Sequence, residues 1–304
     1  MNTPLISVVI PVYNGETTII DTLTSVLKQT YANFEVIIVD DGSDHPVESF
    51  LQPLTDDKRI RVYRTERSNA NIARNVGIME SKGEYIAMLD ADDCWVENHL
   101  NDCLLMLQET TADGLYGSLF MNRSRPVDIQ NLPVAKAREL KAGESMMDYL
   151  LTAGYGAQTS TLFTTARSMK DILWDPELID MQDYDFVFRF YNKYKMIVKK
   201  DPTVVYTLGS GRSLHYESII RYMKDHKKDI DPEVYMRYHL NMYWRVKIEE
   251  ESKQFIPYFH KEATRYPEYL SYFRFISICN PQSRFREWMD KLKYVFTILR
   301  IQIQ

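Results

Sequence analysis

The chain has 304 residues, 45% hydrophobic and 26% charged, which suffices for one large domain or one domain with an appendage. The formal net charge of −5 argues against a broad nucleic-acid-binding surface, because contacts to phosphates need a clustered excess of lysine and arginine. The three cysteines lack metal-ligand spacing, and we find neither a signal-peptide pattern nor an apolar stretch of about 20 residues. We therefore expect a cytoplasmic protein with reduced thiols.

The first third of the chain alternates predicted strands and helices. Continuous apolar or β-branched runs predict strands at 6–10, 34–39, 59–63 and 85–89. Helical periodicity predicts helices at 19–27 and 72–79. We expect Pro11 to end the first strand. Continuous rather than alternating apolar strands indicate a mainly parallel α/β sheet with helices on both faces.

An acidic triplet, Asp90-Ala91-Asp92, follows the strand predicted at 85–89. Ligands bind outside the carboxyl ends of the strands in such sheets. Two carboxylates one residue apart suit Mg²⁺ or Mn²⁺, with water and phosphate oxygens filling the remaining positions. Acidic turns after strands are also common for purely structural reasons, so the triplet alone is weak evidence.

Two further loops end strands of the same predicted sheet. Asp40-Asp41-Gly42-Ser43 follows the second strand, and an aspartate there can accept a hydrogen bond from the imide N–H of uracil. Pro11-Val12-Tyr13-Asn14 follows the first strand, and its tyrosine can pack on a nucleobase. Ordinary turn formation explains both loops equally well. We expect these two loops and the acidic triplet to meet at one edge of the sheet.

Five segments in this order resemble family 2 glycosyltransferases of the GT-A fold. They are SVVIPVYNGE, FEVIIVDDGS, NIARNVGI, GEYIAMLDADD and WDPELIDMQDYDFVFR, and the resemblance covers roughly residues 4–213. It implies a GT-A (Rossmann-like) fold, a nucleotide-sugar donor, a divalent metal and inversion at the anomeric carbon.

The resemblance also implies roles for individual residues. Asp92 is expected to ligate the metal through the diphosphate. His215 is a candidate for a further ligand, although many family members carry their histidine slightly earlier, roughly where Gly209 stands, and a lone histidine is more often structural. Arg74 is expected near the nucleotide, although it can equally be a helix residue that ties the fold together. The complete set expected to bind the nucleotide sugar is Pro11, Val12, Tyr13, Asp40, Asn71, Arg74, Asp90, Ala91 and Arg212.

The resemblance places the catalytic base in the segment QDYDF. Family members usually carry Glu-Asp here, and the aspartate, which corresponds to Asp183, deprotonates the acceptor hydroxyl. Gln182 replaces the usual glutamate, which keeps a hydrogen-bonding group but removes a charge. Asp185 is the second candidate base. Acidic residues favoured at a helix N-terminus explain both aspartates without any catalysis.

We expect a catalytic domain at 1–215, with its nucleotide-sugar half at 1–95 and its acceptor half at 96–215. Residues 216–304 are expected to form a helical C-terminal region, because no strand pattern occurs there. Its last stretch, 284–300, has the pattern of a basic amphipathic helix. Such a helix can dock on its own domain, contact the inner face of a membrane peripherally, or support dimerisation.

The hypothesis from sequence is an inverting glycosyltransferase that uses a UDP-sugar and Mn²⁺ or Mg²⁺. Its acceptor is a glycan, a lipid-linked sugar or a glycoprotein, in bacterial surface polysaccharide or glycoconjugate synthesis. The alternative is a non-catalytic nucleotide-sugar-binding or scaffold protein. A dinucleotide-binding oxidoreductase is disfavoured because no Gly-x-Gly-x-x-Gly follows the first strand. The donor sugar and the linkage are not readable from the sequence.

Overall fold

The computed structural model describes residues 3–269, apart from 53, 124–128, 154–156 and 210–212. The chain divides into two compact units. The first unit comprises Met1–Glu139 and Tyr155–Ser213, and the second comprises Leu140–Gly154 and Leu214–Gln304. Residues 140–154 therefore belong to the second unit, although they lie inside the range that the sequence suggested for the catalytic domain.

The described residues form strands and helices that follow the predicted alternation. The strands are β1 (Ile6–Val12), β2 (Phe34–Asp40), β3 (Ile60–Arg64), β4 (Tyr85–Met88), β5 (Cys94–Trp95), β6 (Gly114–Asn122), β7 (Val134–Ala135), β8 (Phe163–Thr165) and β9 (Met196–Thr207). The helices are α1 (Ile19–Leu27), α2 (Glu48–Leu51), α3 (Ala70–Glu80), α4 (His99–Thr110), α5 (Met146–Thr152), α6 (Ala166–Ile172), α7 (Gln182–Tyr191), α8 (Tyr216–Asp225), α9 (Pro232–Ile248) and α10 (Ile256–Ala263). The predicted strands and helices of the first third are confirmed to within two residues.

All strands in the described part of the chain join one mixed sheet in the first unit. Its order is β3-β2-β1-β4-β8-β6-β9-β5, with β7 paired to β6. Strands β1 to β4 are parallel to their neighbours in that group, and β8 is antiparallel to β4 and β6. The predicted mainly parallel sheet is thus confirmed most clearly for its first four strands.

Helices cover both faces of the parallel strands. Side chains at 6, 8, 10 and 12 of β1 share a buried core with Ile19, Leu23 and Val26 of α1. The opposite face of β1 presents Val9, against which α3 packs so closely that a Cβ on Gly77 would lie 2.4 Å from Val9 Cγ1. Because successive residues of a strand point to opposite faces, α1 and α3 lie on opposite sides of the sheet.

The expectation that Pro11 ends the first strand was wrong. Strand β1 continues to Val12, and Pro11 is in register with Val39 of β2. The carbonyl oxygen of Val12 accepts from the N–H of Asp41, which follows β2, whereas that of Val9 accepts from the N–H of Leu89, which follows β4. Every second residue of a strand directs its backbone groups to the same neighbouring strand, so the nitrogen of Pro11, like the backbone of Val9, faces β4. The pairing of β1 with β4 has already ended at Val9, so no ladder hydrogen bond is lost.

The second unit contains helices and no strand among its described residues, and the C-terminal region is helical as the sequence predicted. Ser145 and Asp148 form a reciprocal cap at the start of α5, and Asp148 also accepts from the Asp231 N–H at 2.8 Å just before α9. Buried aromatic side chains form much of its interior, among them Tyr216, Tyr235 and Phe259. The amphipathic pattern at 284–300 lies outside the described residues.

The described ranges contain no helix that combines the length and apolar character needed to cross a bilayer. In the same ranges Cys94 and Cys103 are free thiols, and burial raises the pKa of the Cys103 thiol to about 12. A thiol with so high a pKa is poorly nucleophilic, in accord with a structural role.

Candidate active site

The motif-bearing loops of the first unit lie at one edge of the sheet. Strands β1, β2 and β4 are parallel, so the loops that follow them leave from the same edge. Strand β8 is antiparallel to β4, so the 3₁₀ turn Thr159–Thr161 that precedes it reaches that edge as well. The topology therefore places four chain segments, which are distant in sequence, around one candidate site.

Helix α1 holds the acidic turn in place. Thr22 Oγ1 donates to the carbonyl oxygen of Asp93 at 2.7 Å and lies 2.9 Å from that of Ala91. Thr22 is fully buried, so these contacts anchor the turn main chain to a core helix. The backbone of the triplet is thereby fixed while the side chain of Asp92 stays exposed.

Asp93 is the buried member of the acidic turn. Ser160 Oγ donates to its carboxylate at 2.5 Å and the Thr207 N–H donates at 2.8 Å. Burial raises the pKa of Asp93 well above its ordinary value, and the charges of Asp92 and Asp90 raise it further. These contacts join the turn to β9 and to the segment before β8, so Asp93 has a structural role.

Arg74 of α3 connects the acidic turn to helix α7. Its guanidinium donates to Asp90 Oδ1 at 2.9 Å, to Asn71 Oδ1 at 2.9 Å and to Gln182 Oε1 at 3.0 Å. Burial disfavours the charged guanidinium, but the charges of Asp90 and Asp183 outweigh burial and raise the pKa of Arg74. A cation with 5% exposure is therefore neutralised by carboxylates from two separate segments.

Asp183 lies in the first turn of α7 and accepts a hydrogen bond from Thr159 Oγ1. Burial is the main cause that raises the pKa of Asp183, and the nearby Asp90 adds to it. The positive charge of Arg74 and the Thr159 hydroxyl oppose the shift. The result is a carboxylate that is a stronger base than an exposed aspartate.

Asp185, the second candidate base, forms an ion pair within its own helix. It is 5% exposed and forms an ion pair with Arg189 at 2.5 Å on the same helix. Arg189 also donates to the carbonyl oxygens of Ile172 and Leu173. This arrangement ties α7 to the end of α6, which favours Asp183 over Asp185 as the base.

Two asparagines of α3 fix the loop that leads into α7. Asn71 donates to the carbonyl oxygens of Asp175 and Leu178 at 2.7 and 3.0 Å, and Asn75 exchanges two hydrogen bonds with the backbone of Trp174. Asn71 is fully buried. Its observed contacts are with the protein itself, and its expected place near the nucleotide stays a prediction.

Asp40 is 1% exposed, and local groups surround its carboxylate. Oδ1 accepts from the Ser43 N–H at 2.8 Å, and Oδ2 accepts from Arg64 at 2.7 Å and from the Val47 N–H at 3.2 Å. A carboxylate oxygen has two lone pairs, so Oδ1 keeps the capacity for one more donor. The contact with uracil therefore stays a prediction.

Tyr13 is the exposed member of the loop after β1. Its side chain is 43% exposed, whereas Pro11 and Val12 are buried in the strand. The Arg67 guanidinium lies 3.3 Å from the centroid of its ring and also pairs with Asp41 at 2.9 Å. The Tyr13 ring is therefore positioned by a cation–π contact at the mouth of the β1 and β2 loops.

Sequence reasoning missed three side chains that shape this site. Thr22 and Ser160 orient the acidic turn, and Tyr206 of β9 lies near all four carboxylates. Burial is the main cause that raises the pKa of Tyr206, followed by the charge of Asp93 and then those of the other aspartates. A single hydroxyl residue in a helix, turn or strand carries no motif of its own, so only tertiary contacts reveal these roles.

The residues present fit a divalent cation only in part. Within the described ranges, no three His, Cys, Asp or Glu side chains are grouped as a preformed metal site. Asp92 is exposed and Asp90 is 28% exposed at the edge of the sheet, so a cation bound there would complete its shell with water and phosphate oxygens. His215 belongs to the second unit, directly before α8, and Arg212 lies outside the described residues.

Solved structures share this architecture. S. aureus TarS 1-349, solved in complex with UDP-GlcNAc, is 20% identical, and the match covers 98% of this chain and 81% of that chain with a TM-score of 0.58. The mannosyltransferase PcManGT of Pyrobaculum calidifontis, solved with GDP-Man and Mn²⁺, is 17% identical. The match covers 98% of this chain and 81% of that chain, with a TM-score of 0.56. At these low identities the likeness shows that this chain shares the fold of the two solved proteins.

The sequence comparisons name the family. Residues 7–167 match the model described as glycosyl transferase family 2, and the amylovoran biosynthesis glycosyltransferase AmsB of Erwinia amylovora is 31% identical over 265 residues, which are 82% of this chain and 86% of AmsB. The chain therefore belongs to glycosyl transferase family 2, as its motifs predicted. Two other relatives, each 41% identical, are matched over only 15% and 39% of their own lengths.

Proposed function

We propose that this protein is an inverting, metal-dependent glycosyltransferase that moves a sugar from a UDP-sugar to an acceptor hydroxyl in glycan biosynthesis. The observation that carries the proposal is the position of Arg74 between Asp90 of the acidic turn and Gln182, the neighbour of Asp183. One buried cation thereby brings the expected diphosphate end of the site and the expected base into the same cluster.

In this proposal Asp183 accepts the proton of the acceptor hydroxyl as that oxygen attacks the anomeric carbon. The bond from the anomeric carbon to the diphosphate oxygen breaks, and its electron pair leaves with UDP. A single displacement from the face opposite the leaving group inverts the anomeric centre. The pKa of Asp183, raised by burial, matches the carboxylate to this proton transfer better than an ordinary aspartate would.

A divalent cation, when bound, would neutralise the charge that develops on the diphosphate. Asp92 is the residue that we propose as its ligand, because its carboxylate is exposed beside Asp90 on an anchored turn. Arg74 pairs with Asp90 at 2.9 Å, so we assign Asp90 to the protein side of the site and Asp92 to the cation. The PcManGT structure with Mn²⁺ supports the same class of cofactor.

Uridine is proposed as the base because Oδ1 of Asp40 has one hydrogen bond and can accept a second from the uracil imide. The complex of TarS with UDP-GlcNAc supports this choice of donor. The name of AmsB supports a role in the assembly of a glycan. We therefore propose a glycan or a lipid-linked sugar as the acceptor.

The test compares Asp183→Asn with Asp185→Asn, a matched change two residues along the same helix. The full chain is incubated with Mn²⁺, candidate UDP-sugars and acceptors, and UDP release is measured with the product anomer read by NMR. We expect Asp183→Asn to lower kcat by about 10²–10⁴ with UDP binding kept, because general base catalysis is worth that much. Asp185→Asn should keep most of the activity, and chelation of the metal should abolish it.

Circular dichroism of both variants confirms that each is folded. Full activity in folded Asp183→Asn, or a product that retains the anomeric configuration of the donor, would contradict the mechanism. A wild-type chain that binds UDP-sugars with metal but transfers sugar to no acceptor would support the alternative, a non-catalytic nucleotide-sugar-binding protein.

A further inference from the structure

The second unit contains a concave surface formed by two adjoining cavities. Their volumes are about 330 and 550 Å³, in the range of small-molecule sites, and both are lined only by residues of this unit. They share Lys224 and Lys227. We call this surface the lysine cavity, and its charged and aromatic lining residues are Lys224, Asp225, Lys227, Lys228, Tyr235, Tyr258, Lys261, Glu262, Arg265 and Tyr266.

The lysine cavity is strongly positive in a chain that is acidic as a whole. Its lining includes five cationic and two anionic side chains, a formal charge of +3, whereas the whole chain carries −5. Random placement of charges on an acidic protein does not favour such a concentration. Like charges lining one concavity repel one another, and an anion in the cavity would relieve that repulsion.

Glu262 is the buried carboxylate of the cavity, and both of its oxygens interact with groups of the protein. It is 5% exposed, and it pairs with Arg265 at 2.6 Å and with Lys227 at 3.5 Å. The Tyr235 hydroxyl donates to the same carboxylate at 3.0 Å. The negative charge of Glu262 therefore compensates Lys227 and Arg265, and it does not pair with the other lysines of the cavity.

Three lysines of the cavity have no carboxylate partner among the described residues: Lys224, Lys228 and Lys261. Lys224 Nζ lies 5.2 Å from the centroid of the Tyr258 ring. The hydroxyl oxygen of Tyr258 is buried and interacts with the Tyr235 hydroxyl, but no hydrogen bond of normal geometry engages it within the described part of the chain. The cavity thus combines three cations that lack a carboxylate partner with a hydroxyl group that forms no hydrogen bond of normal geometry.

We propose that the lysine cavity binds the phosphate or diphosphate group of a ligand. Ammonium groups bind phosphate as point charges, and a phosphate with more than one negative charge makes use of several of them at once. The phenol of Tyr258 supplies a neutral hydrogen-bond donor to the same anion. The phosphate comes either from a soluble phosphate ester or from the headgroup of a lipid, and this proposal is independent of the reaction catalysed by the first unit.

The experiment titrates the full chain with pyrophosphate by isothermal calorimetry in metal-free buffer. It compares wild type with Lys224→Ala/Lys261→Ala and with a control of equal charge loss, Lys58→Ala/Lys141→Ala, whose two lysines are exposed and outside the cavity. We expect the cavity variant to weaken the Kd by at least about tenfold and the control variant by much less. Tyr258→Phe, which removes only the hydroxyl, should weaken it by a smaller factor.

A second arm identifies the source of the phosphate. Vesicles of phosphatidylcholine with phosphatidic acid are compared with vesicles in which phosphatidylserine supplies the same surface charge. Preferential binding to phosphatidic acid that the cavity variant loses indicates a lipid headgroup, and pyrophosphate binding without vesicle binding indicates a soluble ester. Absence of pyrophosphate binding in wild type, or equal weakening in the cavity and control variants, would overturn the proposal.

Discussion

Replacement of Thr159 by valine isolates the side-chain hydrogen bond that Asp183 receives. The side chain of Thr159 is buried and its hydroxyl donates to Asp183 Oδ1, so valine keeps the shape and removes only the donor. A hydrogen bond to a charged group contributes about 1.5–3 kcal/mol, and one pKa unit corresponds to about 1.36 kcal/mol. We therefore expect Thr159→Val to raise the pKa of Asp183 by about one to two units.

The assay is the pH dependence of kcat/KM for sugar transfer at fixed metal concentration. A general base must be deprotonated, so activity falls as the pH drops through the pKa of Asp183. A higher pKa moves this acidic limb to higher pH by the same one to two units, and the rate on the plateau changes little. Thr159→Ser keeps the hydroxyl and serves as the control. An unmoved limb in Thr159→Val, or an equal movement in Thr159→Ser, would refute the assignment of Asp183 as the base.

Three predictions concern stability. Ser160→Ala should lower the free energy of unfolding in urea by about 1–3 kcal/mol, because buried Asp93 loses its 2.5 Å donor; an unchanged value would show that water replaces the serine. Gly77→Ala should cost about 1–3 kcal/mol, because its Cβ would lie 2.4 Å from Val9 Cγ1; Met79→Ala, exposed on the same helix, is the control and should cost much less. Burial lowers the pKa of His99 from 6.5 to about 3 in the folded protein. As the pH falls below 6.5, His99 is therefore protonated in the unfolded chain before it is protonated in the folded one. The contribution of His99 to stability is complete above pH 6.5, and it falls by about 1.4 kcal/mol per pH unit towards pH 3. His99→Gln should flatten the measured slope by that amount, and an unaltered slope would contradict the assignment.

Several parts of the fold were predictable from local pattern. The apolar runs at 34–39 and 85–89 became β2 and β4 because continuous β-branched residues fit a strand that is covered on both faces. Pro11 misled the prediction of the first strand, because the cost of its missing N–H depends on which neighbour that nitrogen faces. The sequence does not contain this information, since it arises only when β4 stops pairing at Val9.

The candidate site was likewise predictable only in part from local pattern. Asp90, Asp92 and Asp183 were identified as candidates because their motifs are local, and the choice between Asp183 and Asp185 rested on family resemblance. The structure adds a physical reason for that choice, since Asp185 pairs with Arg189 whereas Asp183 receives a hydroxyl donor. The catalytic role itself stays a prediction for the experiments above.

By itself, the sequence determined the alternation of strands and helices, the loops that carry acidic residues and the family to which the chain belongs. These properties depend on residues close together in the chain, where periodicity and turn chemistry act directly. Only the tertiary structure decided that Arg74 joins the acidic turn to α7, that Ser160 supports Asp93, and that the lysines of the second unit line one cavity. Such contacts form between segments that packing brings together, and no local pattern encodes the distance between them.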